Sequence, residues 1–340
     1  MKSIVVCGRF FAVALMLLPL AGTSVAQQQD TQQQRAQSQP YNNAPTWRDV
    51  RSGKEEYTSI KGRETGVLVQ TYGETWRQLK NGWITPIVGW LIAGVVVVIG
   101  AFYRWRGALK VHGAPTGRLI QRFTPFERYV HWVVAISFSI LGVTGLVIML
   151  GKYLLLPVIG YTLFAWLTQI SKHLHNFTGP VFVVSLLMFI VMFLKDNLPR
   201  LYDIGWLMKA GGMISGQHVP SGRFNAGEKL WFWGGVVVLS LIVSASGLIL
   251  DFPNFDQVRA VMIEANLVHA VAAGAVMAIS LGHIYLGSIG LEGAYDAMRY
   301  GYVDEAWAKE HHEYWYNDIK SGKIKAGTAS GIPVAPQVQH

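Results

Sequence analysis

Apolar residues in this chain gather into five long stretches, each long enough to cross a membrane as a single helix. They cover about residues 83–103, 129–150, 176–194, 230–250 and 267–289. A transmembrane helix needs about 20 consecutive, predominantly apolar residues to cross the hydrocarbon core of a bilayer. The pattern therefore predicts an all-α membrane protein with five transmembrane helices.

A shorter apolar run lies at the N-terminus. Lys2 and Arg9 precede this run at residues 10–20, and the small residues Ser24-Val25-Ala26 follow it. A positive start, a short apolar run and a small-residue cleavage site are typical of a secretory signal peptide. We interpret residues 1–26 in this way. A retained first transmembrane helix is the alternative, which the shortness of the run disfavours.

Basic residues are sorted between the predicted loops. The exported loops 151–175 and 251–266 carry only Lys152, Lys172 and Arg259. The loops on the other side, 104–128 and 195–229, contain many more Lys and Arg residues. The first alone holds Arg104, Arg106, Lys110, Arg118, Arg122 and Arg128. Because cytoplasmic loops carry the excess of Lys and Arg, this pattern predicts a periplasmic N-terminal segment and a cytoplasmic C-terminus. The net charge of +9 is then an orientation signal, not a nucleic-acid-binding patch.

The composition excludes several other classes of protein. Charged residues make up 14% of the chain and hydrophobic residues 51%, whereas about a quarter of an average soluble chain is charged. The only cysteine, Cys7, lies within the predicted signal peptide. The chain therefore cannot form an intrachain disulfide, a cysteine-rich zinc site or an iron–sulfur cluster of its own.

Four of the ten histidines fall in or at the ends of the predicted helices: His131, His175, His269 and His283. An ionisable residue inside a membrane span is costly, so each is a functional candidate. Fourteen residues separate His269 from His283, which is about 21 Å and nearly four whole turns, so both face the same way. Matching by depth pairs His175 with His269 on the exported side and His131 with His283 on the cytoplasmic side.

Two histidine pairs stacked across a helix bundle are suited to hold two b-type haems. With both axial positions of each iron filled, such a site favours electron transfer over oxygen chemistry. Zinc is disfavoured, because four ligands would have to converge at one depth. A proton relay, or ordinary polar residues satisfied within the bundle, remain alternatives. His173 faces away from His175, so only one of these two can be a ligand, and we choose His175, which lies deeper. Outside the helices we expect solvent exposure for His112, His218, His311 and His312.

Several short motifs around these histidines resemble those of one family, the gamma subunits of membrane-bound formate dehydrogenases. The resemblance covers about residues 118–318. Its motifs are Arg128-Tyr129-Val130-His131-Trp132, Leu174-His175-Asn176-Phe177-Thr178-Gly179, Val268-His269-Ala270, the loop-to-helix entry Arg223-Phe224-Asn225-Ala226-Gly227-Glu228-Lys229, and the tail from Ala306 to Tyr316.

The resemblance implies a di-haem cytochrome b that uses these four histidines as haem ligands. Such a subunit anchors a catalytic molybdopterin or tungstopterin subunit and an iron–sulfur subunit to the bacterial inner membrane, and it passes their electrons to quinone. In this family quinone sits beside the cytoplasmic-side haem, which implies a quinone site at His283, Asn225 and Gly227. Asn225 is also a plausible helix N-cap.

Two other interpretations stay open. Hydrogenase cytochrome b subunits share the four-helix haem plan, and another molybdenum oxidoreductase is a further possible partner. A haem-free membrane anchor or transporter is the alternative from a different class.

The predicted organisation follows from these points. After the signal peptide come an exported segment at 27–82, an additional transmembrane helix at 83–103, a four-helix di-haem core at 104–289 and a cytoplasmic tail at 290–340. Within the exported segment, residues 27–45 are rich in Gln, Asn and Pro, and we expect them to be disordered.

Overall fold

The computed structural model describes residues 44–52, 56–57, 59, 67–69, 72–253, 255 and 257–324. The predicted signal peptide and residues 27–43 of the predicted tether lie outside the described residues, as do residues 325–340 of the tail. The chain divides into two units after Thr75, and each is described by itself.

The first unit contributes one short helix and one small hairpin to the described residues. Helix α1 covers Ala44–Ser52, and strands β1 (Glu56–Tyr57) and β2 (Val67–Val69) pair antiparallel. Residues 44 and 45, the last two positions of the predicted disordered tether, therefore lie within a helix.

The described residues contain five helices that are long and apolar enough to cross a membrane, as predicted. We number them spans 1 to 5, and they cover Gly73–Arg106, Pro125–Leu154, Leu156–Phe193, Ala226–Asp251 and Arg259–Gly290. The fold is therefore that of a multi-pass helical membrane protein.

Three of the spans contain a π-helical segment within the described residues. Span 1 consists of α2 (Gly73–Gln78), a π segment (Leu79–Ile84) and α3 (Thr85–Arg106). Spans 2 and 3 are α4 (Pro125–Leu154) and α5 (Leu156–Phe193). Between spans 3 and 4 lie α6 (Leu201–Met208) and a 3₁₀ turn (Ala210–Gly212). Span 4 joins α7 (Ala226–Leu230), a π segment (Trp231–Leu239) and α8 (Ser240–Asp251), and span 5 joins α9 (Arg259–Tyr285) to a π segment (Leu286–Gly290).

The two segments predicted as exported loops, 151–175 and 251–266, are more than half helical, so the predicted loop bounds are wrong, while their side of the membrane stays a prediction. Span 3 begins at residue 156, and its one break is at Gly160, whose φ of 75° lies in the left-handed region. Lys172 and His173 lower the local hydropathy, which is why the apolar stretch starts only at residue 176. They do not interrupt the backbone hydrogen bonds, so the helix continues through them.

Spans 2 and 4 begin with the same capping arrangement. Thr124 accepts a hydrogen bond from the amide of Glu127 at 3.3 Å, while the Glu127 carboxylate accepts one from the amide of Thr124 at 2.7 Å. Asn225 and Glu228 exchange the equivalent bonds at 2.9 and 2.8 Å. Each pair satisfies backbone donors that the first turn of a helix leaves free.

Spans 2 and 3 pack against each other, as do spans 4 and 5, and span 1 packs on span 5. The contact between spans 1 and 5 depends on a small residue. A Cβ atom added at Gly274 would lie 2.5 Å from Cγ2 of Val88, which is itself buried. Gly274 therefore sets how closely the additional helix approaches the bundle.

Three segments that the sequence places on the cytoplasmic side meet at one end of spans 2 to 5. Strand β3 (Leu119–Gln121) pairs antiparallel with β4 (Tyr302–Asp304). Helix α10 (Ala294–Tyr300) precedes β4, and α11 (Glu305–His311) and α12 (Glu313–Lys320) follow it. We call this assembly, residues 107–124, 195–225 and 291–324, the cap. Its buried core includes Phe123, Val303, Trp307, Trp315 and Tyr316.

Candidate functional site

The four histidines of the spans meet as two pairs. His175 of span 3 and His269 of span 5 have ring centres 6.1 Å apart, and His131 of span 2 and His283 of span 5 have ring centres 6.4 Å apart. His173 lies exposed on another face of span 3. These are the two pairs that the sequence analysis predicted from the depth of each histidine along its helix. Within the part of the chain that the structure describes, no three potential metal ligands converge.

The ring separations fit one metal ion between each pair of imidazoles. A metal–nitrogen bond is about 2 Å long, and a ring nitrogen lies about 1 Å from its ring centre, so two axial imidazoles on opposite sides of one ion have ring centres about 6 Å apart. Both pairs match that value. The geometry therefore suits bis-histidine ligation of a haem iron at two depths.

The ring of His175 is oriented by span 2. Its Nδ1 lies 2.9 Å from Oγ1 of Thr144, and that hydroxyl donates its own hydrogen to the carbonyl of Ile140 at 2.7 Å. The hydroxyl oxygen therefore accepts from Nδ1–H, which leaves Nε2 without a hydrogen and able to bind a metal. A Cβ at Gly145 would be 3.5 Å from Cε1 of His175, so the helix approaches this ring closely.

The ring of His269 is held in the same way by span 4. Its Nδ1 lies 3.0 Å from the carbonyl oxygen of Val243 and 3.3 Å from Oγ of Ser246. A carbonyl oxygen can only accept, so Nδ1 carries the hydrogen and Nε2 is the free nitrogen. A Cβ at Gly247 would be 3.1 Å from Cε1 of this ring.

The second pair has different surroundings. Nδ1 of His131 is buried and has no hydrogen-bond partner among the described residues. His283 stacks on the indole of Trp231, with ring centres 5.0 Å apart and planes 15° apart. The indole lies directly against Gly235 one turn along span 4, where a Cβ would collide with it. Trp231 begins the π segment of that span, and π-helical turns occur frequently at functional sites.

The residues predicted to contact quinone have structural roles of their own. Oδ1 of Asn225 is occupied by the amide of Glu228 in the cap of span 4. A Cβ at Gly227 would lie 2.9 Å from Cη2 of Trp206, so this glycine admits the indole. Both residues lie in the turn before Trp231, and Glu228 is close enough to act electrostatically on His283.

Arg122, which the sequence analysis placed among the basic residues of a loop, is buried in the cap. Its guanidinium is buried, donates to Glu228 at 2.9 Å and to the carbonyl of Arg223 at 3.1 Å, and lies over the ring of Trp307 at 4.9 Å. Burial lowers the pKa of Arg122, and the ion pair with Glu228 opposes that effect. Arg122 thus ties the start of span 4 to the tail. The aromatic-rich tail motif is the sequence signal that could have indicated a buried partner.

Exposure was predicted correctly for two of the four loop and tail histidines named in the sequence analysis. His112 and His218 are exposed and form 2.7 Å contacts with Glu310 and Glu313 respectively. His312 is only 1% exposed, and its Nδ1 lies 2.7 Å from the carbonyl of Gly222. For His311 the ring Nε2 is buried without a partner among the described residues.

Burial has a clear electrostatic effect on these two rings. It lowers the pKa of His311 to about 4, and it lowers the pKa of His312 well below its usual range. Both are neutral at physiological pH. The prediction of solvated side chains is wrong for this pair, because the core of the cap forms around them.

An apolar helix bundle with two histidine pairs at different depths is the arrangement expected of a membrane cytochrome of the b type. Residues 122–299, which include all four histidines, match the family model described as prokaryotic cytochrome b561. The chain therefore belongs to the prokaryotic cytochrome b561 family, and haem b is the cofactor which that membership implies.

Curated proteins similar to this chain carry a more specific name. The cytochrome b556(fdo) subunit of formate dehydrogenase from Escherichia coli is 32% identical over 208 residues, which are 59% of this chain and 93% of that protein. The nitrate-inducible cytochrome b556(Fdn) subunit from the same species is 27% identical over 226 residues, or 63% and 98% of the two chains. The formate dehydrogenase cytochrome b556 subunit of Haemophilus influenzae is 27% identical over 229 residues, or 64% and 90%.

Proposed function

We propose that this chain is the membrane-anchoring di-haem cytochrome b subunit of a respiratory formate dehydrogenase, and that it delivers electrons to quinone. The observation that carries the proposal is the pair of histidine sites, with ring centres 6.1 and 6.4 Å apart at two depths of one bundle. The names of the similar proteins supply the formate dehydrogenase assignment.

Each histidine pair would hold one haem b. His175 and His269 would be the axial ligands of one group, and His131 and His283 those of the other. When bound, haem supplies a one-electron carrier. The chain's own side chains orient the ligands: Thr144 and Ser246 fix two of the rings, and the stacked indole of Trp231 fixes the plane of His283.

The depth of the pairs suits a connection across the membrane. His269 and His283 are separated by about 21 Å along span 5, at 1.5 Å per residue, within a hydrocarbon core of about 30 Å. The pairs would therefore lie near opposite faces of the bilayer. A subunit that joins an electron donor on one side to an acceptor on the other needs this spacing.

Quinone would bind at the turn where span 4 begins, beside His283, with Asn225 and Gly227 in contact. A quinone oxygen only accepts hydrogen bonds, so the amide nitrogen of Asn225 is the group that would donate to it. Glu228 lies next to this position, where its carboxylate could exchange protons with the cytoplasmic side.

The partners in this proposal are a catalytic molybdopterin or tungstopterin subunit and an iron–sulfur subunit. The chain offers one cysteine, so every cluster would come from those partners. We place both on the periplasmic side of a bacterial inner membrane, near the His175–His269 pair, and the cap in the cytoplasm. The sorting of basic residues into loops that contribute to the cap supports this orientation.

A reduced-minus-oxidised absorption spectrum of the purified complex tests the haem sites. We expect a b-type band corresponding to two haems per chain, and the loss of one haem in His269→Ala. His173→Ala is the matched control, because it removes a nearby exposed imidazole and is expected to retain both haems. The absence of a b-type band, or the same loss in both variants, contradicts the proposed ligands.

The electron donor is tested by assaying the same complex for quinone reduction. Formate is expected to reduce quinone, and hydrogen is not. Hydrogen-dependent reduction without formate-dependent reduction would favour the hydrogenase alternative.

A further inference from the structure

We propose that Thr144-Gly145 and Ser246-Gly247 are two copies of one positioning device, which makes the His175–His269 centre the one with the lower midpoint potential. The inference rests on the proposed haem sites and goes beyond them, because it concerns residues that bind no cofactor. It also assigns an order to the two centres.

The same arrangement occurs on two different helices. In each, a hydroxyl residue approaches Nδ1 of the histidine, at 2.9 Å for Thr144 and 3.3 Å for Ser246. The glycine that follows leaves room for Cε1 of the same ring. In span 4 the carbonyl of Val243, three residues before Ser246, also accepts from Nδ1 of His269, and in span 2 the backbone of Leu141, three residues before Thr144, is a hydrogen-bond partner of His175.

The direction of these hydrogen bonds is fixed by the helices. The hydroxyl of Thr144 donates to the carbonyl of Ile140 at 2.7 Å, and the hydroxyl of Ser246 donates to that of Ile242 at 2.7 Å. Each oxygen is therefore left to accept, and both histidine rings donate from Nδ1. The chain thus selects one tautomer at both positions, with Nε2 as the ligand nitrogen.

The second centre lacks this device. Nδ1 of His131 is buried and unpartnered among the described residues, and His283 stacks on the indole of Trp231. A hydrogen bond from the outer nitrogen of an imidazole raises its basicity as a ligand. A more basic ligand stabilises the oxidised, more positive iron. The centre whose two rings both donate therefore has the lower potential.

The order has a functional meaning for the proposed complex. Electrons that enter from the exported side would reach the lower-potential centre first and then the higher-potential centre beside quinone. The potential difference would then favour movement toward the cap. In this proposal the potential difference arises from residues of spans 2 and 4, and no residue of the cap is needed to produce it.

Potentiometric titration of the b-type absorption band in the full complex tests the inference. We expect two waves in the wild type, of which His269→Ala removes the lower. In Thr144→Val combined with Ser246→Ala, we expect both haems to remain and the lower wave to move to a more positive potential. Thr144→Ser keeps the hydroxyl and is expected to restore the wild-type value.

Ser137→Ala is the matched control for these variants. It removes a buried hydroxyl of span 2 whose hydrogen bonds go to its own helix, at 2.7 Å to the carbonyl of Val133. We expect both waves to stay in place. If the double variant loses haem, the single variants are titrated instead, and each is expected to show a smaller positive shift.

The possible failures are distinguishable. A complex without b-type haem contradicts the proposed function. Two haems with a lower wave that does not move in the variants, or a lower wave that His269→Ala leaves in place, contradicts this inference alone.

Discussion

Acidification is expected to loosen the cap, because two buried, neutral histidines lie at the end of α11: His311 is its last residue and His312 follows it. Lowering the pH adds a proton to an imidazole only when the ring can reach water or a compensating charge. Arg122, His112 and His218 all disfavour a charge on His311, while Glu310 favours it, and desolvation is the largest effect. Opening the cap exposes the ring and restores its usual proton affinity.

The expected magnitude follows from the pKa of His311. Its ordinary value of 6.5 applies when the cap is open, and the buried value is about 4 when it is closed. The open state therefore binds a proton first as the pH falls. Stability is fully present above pH 6.5 and is lost progressively toward pH 4. The two values differ by about 2.5 units; at 1.36 kcal/mol for each unit, the full loss is about 3.4 kcal/mol, or roughly 300-fold in the opening equilibrium.

Hydrogen exchange of the amides of α11 and α12 in the full-length protein measures this opening. The comparison is made between pH 7 and pH 4.5, after correction for the intrinsic pH dependence of exchange. In this window the protection of α11 is expected to fall in the wild type. Desolvation raises the pKa of Glu310, but hydrogen bonds from His112 outweigh it, and a hydrogen bond from Tyr316 with the charge of Arg118 lowers the pKa of Glu305. Both carboxylates therefore contribute mainly at lower pH.

His311→Leu provides the decisive comparison, since it keeps an apolar side chain in the pocket and removes the titration. In this variant, the hydrogen-exchange protection of the α11 amides is expected to depend less on pH than in the wild type. His173→Leu, at an exposed position of span 3 outside the cap, is expected to behave like the wild type. Equal loss of protection in wild type and His311→Leu would refute the reasoning.

Two further predictions concern glycines that admit a neighbouring side chain. Gly247→Val is expected to displace the ring of His269 and reduce the haem content from two to one. Gly234→Val is the control, because a Cβ at Gly234 meets nothing within 4 Å, and it is expected to retain both haems. Equal haem content in the two variants contradicts the close approach of Gly247 to His269. Gly274→Leu is expected to push span 1 away from span 5. The overpacking reduces the stability of the detergent-purified protein by about 1–3 kcal/mol, which is measured as a lower melting temperature. Truncating the facing side chain by Val88→Ala is expected to recover part of that loss, and no recovery would contradict the assigned contact.

The membrane architecture could be predicted from the sequence because the hydropathy of a segment depends only on the residues within it. Five apolar stretches marked the five spans, and helical periodicity with charge asymmetry was enough to pair His175 with His269 and His131 with His283 by depth. The length of span 3 could not be predicted in this way. Lys172 makes residues 156–175 look like a loop, although a polar side chain does not interrupt a helix.

The surroundings of the histidines were harder to predict because they depend on contacts between helices. Thr144 and Ser246 are ordinary polar residues of apolar helices until the neighbouring span is in place. The buried state of Arg122 and of His312 depends on the tail folding back over the first loop. Such long-range contacts leave little trace in local sequence patterns.

The cap also bears on the order in which the chain is made. The contact between His112 and Glu310 joins residues 198 positions apart, and the one between Arg128 and Met298 joins residues 170 positions apart. During synthesis the first loop therefore has to wait, with Arg122 lacking its Trp307 contact, until the last span has been inserted and the tail has left the ribosome. Closure of the cap is then a late event in biogenesis, and only a chain translated through α11 and α12 can complete it.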